Sequence, residues 1–140
     1  MEDVRRQRIL AQLKFDRFAA MLGIEVVGLD DGYAKCRMSL RGDMLNSVDI
    51  PHGGCVFTLA DMAFAAACNS HGTVSLALHV GITFYAAAPA NSVLVAEAKE
   101  IYLGRKTCEY DIRISTEEGQ LIALARGLAY RKETPYPPIP

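Results

Sequence analysis

The chain has 140 residues, a length that suits one domain with a continuous core and is too short for two ordinary domains. Its 15 basic and 16 acidic residues leave a formal net charge of -1, so the overall charge favours neither nucleic acid nor an anionic membrane as a partner. The longest weakly polar stretch, residues 53–69, is interrupted by Asp61 and is shorter than the roughly 20 apolar residues that a membrane span needs.

The first predicted element is an amphipathic helix from Arg8 to Leu22, which Gly23 ends. Its apolar residues recur at the i, i+3, i+4 and i+7 positions of one helical face, and this helix is expected to lie on a surface. The residues of the apolar face are Phe15, Phe18, Ala19 and Leu22.

A β-hairpin is predicted next, over residues 24–29 and 33–40. Both runs are rich in β-forming residues, and they flank the turn signal Asp30-Asp31-Gly32. The second strand alternates, so that one of its faces carries Ala34, Cys36, Met38 and Leu40. The residues that follow, 41–51, are rich in Gly, Asn, Ser, Asp and Pro and predict a loop.

A long helix is predicted from Gly53 to Ser70, and His71-Gly72 ends it. Apart from Asp61, its residues are small or apolar on every side. That distribution is typical of a helix that protein surrounds, because a helix at a surface carries a polar face. This helix is therefore the predicted centre of the fold.

Four strands are predicted to complete the domain, over residues 73–85, 93–103, 106–115 and 121–131. The first of them alternates cleanly, so that one face carries Val74, Leu76, Leu78, Val80, Ile82 and Phe84. Residues 1–132 form the one predicted domain. The proline-rich tail, residues 133–140, cannot form a helix or an inner strand and is expected to be extended or mobile.

The order of the elements predicts the fold class. A helix and two strands precede the apolar helix, and four strands follow it with short connections, which favours an antiparallel meander. A sheet of this size covers an apolar helix by curling around it. The sequence therefore predicts an α+β hotdog fold, in which a curved antiparallel sheet wraps around the central helix, about residues 53–70, together with an N-terminal amphipathic helix.

Asp61 is the first catalytic candidate. A carboxylate in the middle of an otherwise apolar helix has a desolvation cost unless another group compensates it. Unpaired carboxylates are seldom buried without a function, which favours a catalytic role. The alternative is an ion pair with an Arg or Lys across an oligomer interface.

His52-Gly53-Gly54 stands where the loop becomes the central helix and is the second candidate. Glycine lets a ligand approach the main chain, and the first amides of a helix lack intrahelical acceptors. The amides of Gly53 and Gly54 are therefore candidate donors to a carbonyl oxygen that is becoming an oxyanion. A tight entry turn is the alternative, since glycine serves turns as often as ligands.

The spacing of the two candidates predicts a site shared between subunits. Asp61 lies seven residues beyond Gly54, which is on the order of 10 Å along a helix that rises ~1.5 Å per residue. One chain cannot easily bring both groups to the same carbonyl carbon. A two-fold dimer would place Asp61 of one subunit against the His-Gly-Gly turn of the other.

Weaker candidates lie near this pair. Asn46 could orient a water or a substrate carbonyl, although a loop Asn more often satisfies the backbone. Cys55 and His52 could form a nucleophilic pair at the helix start, although a Cys in a core helix is more often inert. No metal is expected, since His52, His71 and His79 show no i, i+4 spacing.

Basic residues on or beside the last three strands could hold the phosphates of a nucleotide-bearing substrate, although such residues are usually just solvated. They are Arg105, Lys106, Arg126 and Arg131. The four cysteines stand singly, without a C-x-x-C pair, and predict free thiols in a reducing compartment. The first residues carry no apolar run behind their basic residues, so a cytoplasmic location is expected.

Four segments resemble the signature of hotdog-fold acyl-CoA thioesterases of the phenylacetate-degradation type. They are Met44-Leu45-Asn46, His52-Gly53-Gly54, Leu59-Ala60-Asp61 and Ala67-Cys68-Asn69-Ser70, and the likeness extends from Leu22 to about Arg131. The resemblance implies that Asp61 acts as general base or nucleophile, that Gly53, after His52, polarises the thioester carbonyl, and that Asn46 assists. It implies a homotetramer of dimers with interface active sites, and no cofactor beyond the coenzyme A of the substrate.

The resemblance also leaves some roles open. Related thioesterases often carry a Ser or Thr after the helix to position the water, and a rough register places Ala77 there, with Thr73 and Ser75 as substitutes. Candidates for lining the acyl pocket are Phe57, Met62 and Phe64. The expected reaction is hydrolysis of an aryl-acetyl or related acyl-CoA to free acid and CoA. An acyl-CoA hydratase and a non-catalytic acyl-CoA binding or sensing module are the alternatives.

Overall fold

Six antiparallel strands and one long helix form the body of the protein in a computed structural model, which describes residues 1–138. Two short helices, α1 (Asp3–Leu13) and α2 (Arg17–Met21), precede the hairpin of β1 (Glu25–Asp30) and β2 (Tyr33–Ser39). A loop with one 3-10 turn leads to the central helix α3 (Gly53–Asn69). The last strands are β3 (Thr73–Phe84), β4 (Val93–Leu103), β5 (Thr107–Thr116) and β6 (Leu121–Pro135).

The sheet has the strand order β1-β2-β4-β5-β6-β3, and all neighbouring strands are antiparallel. The predicted meander of the last four strands is therefore wrong for β3, which pairs with β6, while β4 pairs with β2; the connection that follows β3 crosses to the other half of the sheet because α3 lies between the hairpin and β3 in the chain. Its inner face packs on α3, which contacts every strand. The predicted inner face of β2 is confirmed, because Ala34, Cys36, Met38 and Leu40 are all buried. The predicted α+β hotdog fold is confirmed as well, and α3 ends within one residue of its expected end.

The N-terminal segment forms two helices where one was predicted. α1 begins at residue 3, five residues before the predicted start, and residues 14–16 separate it from α2. The break has a local cause: the Asp16 carboxylate accepts a hydrogen bond from the Ala19 amide (2.9 Å) and thereby caps a new helix. The prediction of one continuous helix from residue 8 to residue 22 is therefore wrong.

The predicted apolar face of this segment is also wrong in part. Phe15 and Phe18 are 75% and 56% exposed, and only Ala19 of the predicted face is fully buried. The residues that anchor the segment are Ile9 and Leu13 of α1. Because the helix restarts at residue 17, residues before and after the break no longer share one helical face.

β3 does not keep the single apolar face that was predicted. A β-bulge after Ala77 leaves Leu78 without a residue opposite it on β6. Val80 lies opposite a buried glycine, whereas Leu76 lies opposite the exposed Tyr130 on the outer side of the sheet. The extra residue inverts the alternation of the side chains, so Leu76 and Leu78 leave the face that Val80 occupies.

One stripe of α3 remains partly open in the protomer. Its members recur at the spacing of one helical face, and they are Gly54, Phe57, Thr58, Asp61 and Ala65. The sheet of one protomer thus covers α3 on its other sides, and the prediction that protein surrounds the helix on every side remains a prediction for this stripe. The stripe carries the one carboxylate of the helix.

A polar cluster holds the C-terminal end of α3 against the sheet. Glu100 Oε2 accepts a hydrogen bond from the Tyr110 hydroxyl (2.6 Å) and pairs with His71 Nε2 (2.6 Å). The Ser70 hydroxyl accepts a hydrogen bond from the Gly32 amide (2.8 Å), in the turn between β1 and β2. Ser70 and His71, which follow α3, are thereby tied to the β1–β2 turn and to β4, and these bonds fix the end of the helix that carries Asp61.

β6 continues to Pro135, three residues past the expected end of the domain at residue 132. Pro135 lies opposite Thr73, and the Tyr136 amide donates a hydrogen bond to the Gly72 carbonyl (2.9 Å). Of the predicted tail, residues 133–135 are extended and paired with β3, and residues 139–140 lie outside the described residues. In the described chain, no helix has both the length and the apolar character needed to cross a bilayer.

Candidate active site

The site centres on Asp61, in the middle of the open stripe of α3. Its side chain is half-buried. Burial raises the pKa of the Asp61 carboxyl, and the negative charge of Asp16, at the start of α2, raises it further. Within residues 1–138 no basic side chain compensates this carboxylate. An uncompensated carboxylate with a raised pKa is suited to accept a proton from water.

The side chain before α3 caps the helix. His52 Nδ1 accepts a hydrogen bond from the Gly54 amide (2.8 Å). A Cβ on residue 54 would lie 3.0 Å from that nitrogen, so glycine at this position leaves room for the cap. Of the two amides predicted to bind a carbonyl oxygen, that of Gly54 is thus engaged within the chain, which leaves the amide of Gly53.

The Gly53 amide has no acceptor within residues 1–138. The backbone of Gly53 does not adopt a positive φ, and an added Cβ would meet only the Phe84 ring, at 3.3 Å. The backbone conformation of the entry turn therefore does not require glycine at position 53. A free N–H at the start of a helix, with no side chain beside it, can receive a carbonyl oxygen at close range.

An apolar cavity of about 290 Å³ adjoins this amide, and we refer to it as the Gly53 cavity. It lies between the start of α3 and the segment that follows β3, where the chain leaves the sheet. Its walls are Ile50, Pro51, Gly53, Val56, Phe84, Tyr85, Ala86, Ala87, Ala88 and Ile122. Residues 86–88 were not among the predicted site residues, although the three alanines before Pro89 are a recognisable run of small side chains.

Asn46 shapes the loop that borders the Gly53 cavity. Its Oδ1 accepts hydrogen bonds from the amides of Val48 (3.0 Å) and Ile50 (3.1 Å). These bonds bend the loop, so that Ile50 reaches the cavity wall. Within residues 1–138 the Asn46 Nδ2 group has no partner, so its two N–H donors remain for a ligand.

Gly53 and Asp61 do not meet within one protomer. α3 runs without a break from Gly53 to Asn69, and the eight residues between the two groups correspond to roughly 12 Å along its axis. The structure thus retains the separation that the sequence predicted.

Two predicted substrate-binding residues lie at the far end of α3 from Gly53. Ser75 is buried, and its amide donates a hydrogen bond to Asn69 Oδ1 (2.8 Å). Thr73 lies opposite Pro135 at the start of β3. The structure does not bring Thr73 or Ser75 to the Gly53 cavity.

The predicted phosphate-binding residues lie beyond that same end and on the strands. Arg105 and Lys106 are exposed in the turn between β4 and β5, and Arg105 lies 3.6 Å from Glu133. Arg131 donates a hydrogen bond to the Gly104 carbonyl (2.7 Å). Arg126 forms an ion pair with an aspartate of β5 (2.8 Å).

The three candidates for the acyl pocket separate in the structure. Phe57 is on the open stripe, and Met62 lines a second cavity on another side of α3. Phe64 is fully buried and packs edge-to-face on Tyr110, with ring centroids 5.7 Å apart. Phe64 therefore belongs to the core and lines neither cavity.

The competing chemistries find little support in the geometry. Burial raises the pKa of the Cys55 thiol, which disfavours the thiolate that a nucleophile needs. The three histidines lie apart: His52 caps α3, His71 pairs with Glu100, and His79 lies exposed on β3.

Residues 50–123 match the model of a protein family described as the thioesterase superfamily. Among curated proteins, the chain is 43% identical over 125 residues to a protein of Archaeoglobus fulgidus whose name alone assigns it to the esterases. The match covers 89% of this chain and 81% of that protein. It is 38% identical over 125 residues, 89% of each chain, to the acyl-coenzyme A thioesterase PaaI of Escherichia coli K12.

Two solved structures extend these comparisons. The structure of E. coli PaaI, from the phenylacetic acid degradation operon, superimposes with a TM-score of 0.89 at 36% identity, covering 94% of this chain and 95% of that one. A protein of Streptococcus pneumoniae described as a hypothetical thioesterase, solved with coenzyme A, superimposes with a TM-score of 0.81 at 25% identity, covering 88% of this chain and 96% of that one.

Proposed function

The chain belongs to the thioesterase superfamily, and from this premise we propose that it hydrolyses acyl-CoA thioesters to free acid and CoA. The observation that carries the proposal is the presence on α3 of two groups that lack a polar partner among residues 1–138. Within that part of the chain, Asp61 is a desolvated carboxylate without a basic partner, and Gly53 presents an amide without an acceptor beside an apolar cavity. A general base and an electrophilic donor are the two groups that acyl transfer to water requires.

The proposed site requires a homodimer, and β3 supplies a surface for it. β3 is the last strand of the sheet, and Leu76, Leu78 and Phe84 are 52%, 60% and 49% exposed along it. A long apolar edge strand is a template for pairing with another strand. A two-fold pairing of β3 with the β3 of a second copy would also bring the open stripes of the two α3 helices towards each other. Two such dimers would form the homotetramer.

In the proposed reaction, the thioester carbonyl of the substrate accepts a hydrogen bond from the Gly53 amide of one subunit. Asp61 of the partner subunit takes a proton from a water molecule, whose oxygen attacks the carbonyl carbon. The Gly53 amide stabilises the tetrahedral oxyanion. The carbon–sulfur bond then breaks, the CoA thiolate leaves and is protonated, and the carboxylic acid remains. Direct attack by Asp61, followed by hydrolysis of the mixed anhydride, is the other route to the same products.

Aryl-acetyl-CoA is the proposed substrate class, by analogy with E. coli PaaI and its operon, and no separate cofactor is proposed. Asn46, whose Nδ2 group has no partner among the described residues, is proposed to hold the substrate or the water. Four free cysteines fit a reducing cytoplasm.

Release of the CoA thiol tests the proposal. We expect the wild-type chain to release CoA from phenylacetyl-CoA and from short to medium aliphatic acyl-CoAs, measured with a thiol reagent in continuous assays. A hydratase would consume an enoyl-CoA without releasing thiol, and a binding module would bind acyl-CoA without turnover. Absence of thiol release from the entire panel would refute the proposal.

The activity is expected to fall as the pH is lowered, because Asp61 must be ionised to act. Burial and Asp16 both raise the pKa of Asp61, so the loss should begin at a higher pH than for an ordinary aspartate. In Asp16→Asn the side-chain oxygen that caps α2 is kept and the charge is removed. Its acid limb in a profile of kcat/KM against pH should therefore move to lower pH. A shift to higher pH would contradict the assignment of the limb to Asp61.

A further inference from the structure

The attacking water of the proposed reaction has two O–H bonds, and Asp61 accepts only one of them. The other must also be held if a lone pair of the water is to point at the carbonyl carbon, because a water that turns about a single hydrogen bond is poorly oriented for attack. Asn46 does not supply this second acceptor. Both lone pairs of its Oδ1 are taken by the amides of Val48 and Ile50, and its Nδ2 group only donates.

Thr58 is the polar neighbour of Asp61 on the open stripe of α3. The stripe residues within about one helical turn of Asp61 are Phe57, Thr58 and Ala65, and of these three only the threonine carries a polar side-chain atom. Thr58 and Asp61 are both half-buried. The hydroxyl and the carboxylate therefore share the surface that a second copy of the chain covers in the proposed dimer.

The Thr58 hydroxyl is held in the role of an acceptor. Its Oγ1 donates a hydrogen bond to the Gly54 carbonyl (2.8 Å), so its one proton is engaged and its lone pairs remain for a ligand. A hydroxyl that donated to Asp61 would stabilise the ionised carboxylate and make it a weaker base. The bond to Gly54 directs the proton away from Asp61.

The spacing of the two side chains suits one bridging water. Residues three apart on a helix are neighbours, with Cβ atoms roughly 5–6 Å apart. Helical side chains lean towards the N-terminus, so the Asp61 carboxylate leans towards the turn that carries Thr58. A water that donates to two oxygens at about 2.8 Å each joins acceptors roughly 4–5.5 Å apart. One water can therefore donate to both groups.

We propose that Thr58 holds the attacking water together with Asp61 of the same subunit, a role that rests on the proposed thioesterase function. The water donates one O–H to Asp61 and the other to Thr58 Oγ1, and its free lone pair attacks the carbonyl carbon that the Gly53 amide of the other subunit polarises. Asp61 takes the first proton. The O–H at Thr58 stays intact and becomes the hydroxyl of the carboxylic acid when the carbon–sulfur bond breaks.

Two substitutions separate the hydroxyl from the shape of the side chain. Thr58→Val removes the hydroxyl and keeps the branched shape, whereas Thr58→Ser keeps the hydroxyl. We expect Thr58→Val to lower kcat on the order of 10- to 100-fold, as expected when one hydrogen bond is lost in a desolvated site. The KM should stay close to that of the wild type, since the hydroxyl binds water and not the thioester. Thr58→Ser should restore most of the wild-type kcat.

The pH profile distinguishes this role from a structural one. The acid limb of kcat/KM should keep its wild-type position in Thr58→Val, because the Thr58 proton is bonded to Gly54 and not to Asp61. A displaced α3 would move the limb. The control is Thr107→Val, the same change on the outer face of the sheet, which should keep full activity.

Three results would overturn the role of Thr58 while leaving thiol release by the wild type intact. They are a wild-type kcat in Thr58→Val, a Thr58→Ser variant as impaired as Thr58→Val, and a shifted acid limb. Absence of thiol release from the wild type is a different outcome, which would overturn the proposed function and the role of Thr58 with it.

Discussion

Asp61→Asn is expected to lower kcat for acyl-CoA hydrolysis on the order of 10³-fold, the contribution typical of a positioned general base. The amide of Asn cannot accept the proton of water, and it is too weak a nucleophile to attack the thioester. The substitution changes the shape of the side chain little, so the KM of the substrate should stay close to that of the wild type. Thiol release under saturating substrate measures the effect.

The same variant should fold at least as well as the wild type. Ionised Asp61 is desolvated without a compensating basic group among residues 1–138, so its removal takes away a cost of folding. Asp43→Asn, which alters an exposed carboxylate in the loop before α3, is the control and should keep full activity. A melting temperature equal to or above that of the wild type, together with lost activity, supports a catalytic role. Near-normal turnover by Asp61→Asn would exclude it.

Mixing two inactive variants is expected to restore about a quarter of the wild-type activity. Asp61→Asn retains a working Gly53, whereas Gly53→Val retains a working Asp61 and blocks the approach to the amide. In a randomly reassorted mixture about half of the dimers are heterodimers, and each has one site with both groups intact. The activity of mixtures, after the subunits have been exchanged by dilution or mild denaturant, measures the recovery.

This experiment distinguishes a shared site from a site within one chain. If one chain supplied both groups, each subunit of the mixture would carry a defect and no activity would return. The control is each variant taken through the same exchange alone, which should remain inactive. Recovery would also show that the open stripe of α3 is covered by a second copy of the chain, since the two groups lie roughly 12 Å apart along one helix.

The sequence was sufficient to predict the centre of the molecule. The apolar run with a single carboxylate placed α3 within one residue of its observed end and singled out Asp61. The hairpin followed from alternation and from its turn signal. These features depend on neighbours within one or two helical turns or along one strand, so a local pattern contains the information that determines them.

Other features were not predicted from the sequence. The pairing of β3 with β6 depends on contacts between distant residues, whereas the break of the N-terminal segment has a local cause. The N-terminal segment breaks into two helices because one carboxylate caps the second, and a bulge in β3 turns Leu76 outward. At both places two backbone conformations have similar local energies, and packing against the rest of the domain determines which of them forms.

The candidate site shows the same division. Composition and spacing identified His52-Gly53-Gly54 and predicted that Asp61 must act from another subunit, because a helix has a fixed rise per residue. Only the three-dimensional structure decided which of the two amides lacks an acceptor in the described part of the chain, since the His52 ring accepts the hydrogen bond of the Gly54 amide. It also decided where the cavities lie, because a cavity is formed by side chains from separate elements, and no local pattern in the chain specifies how these pack together.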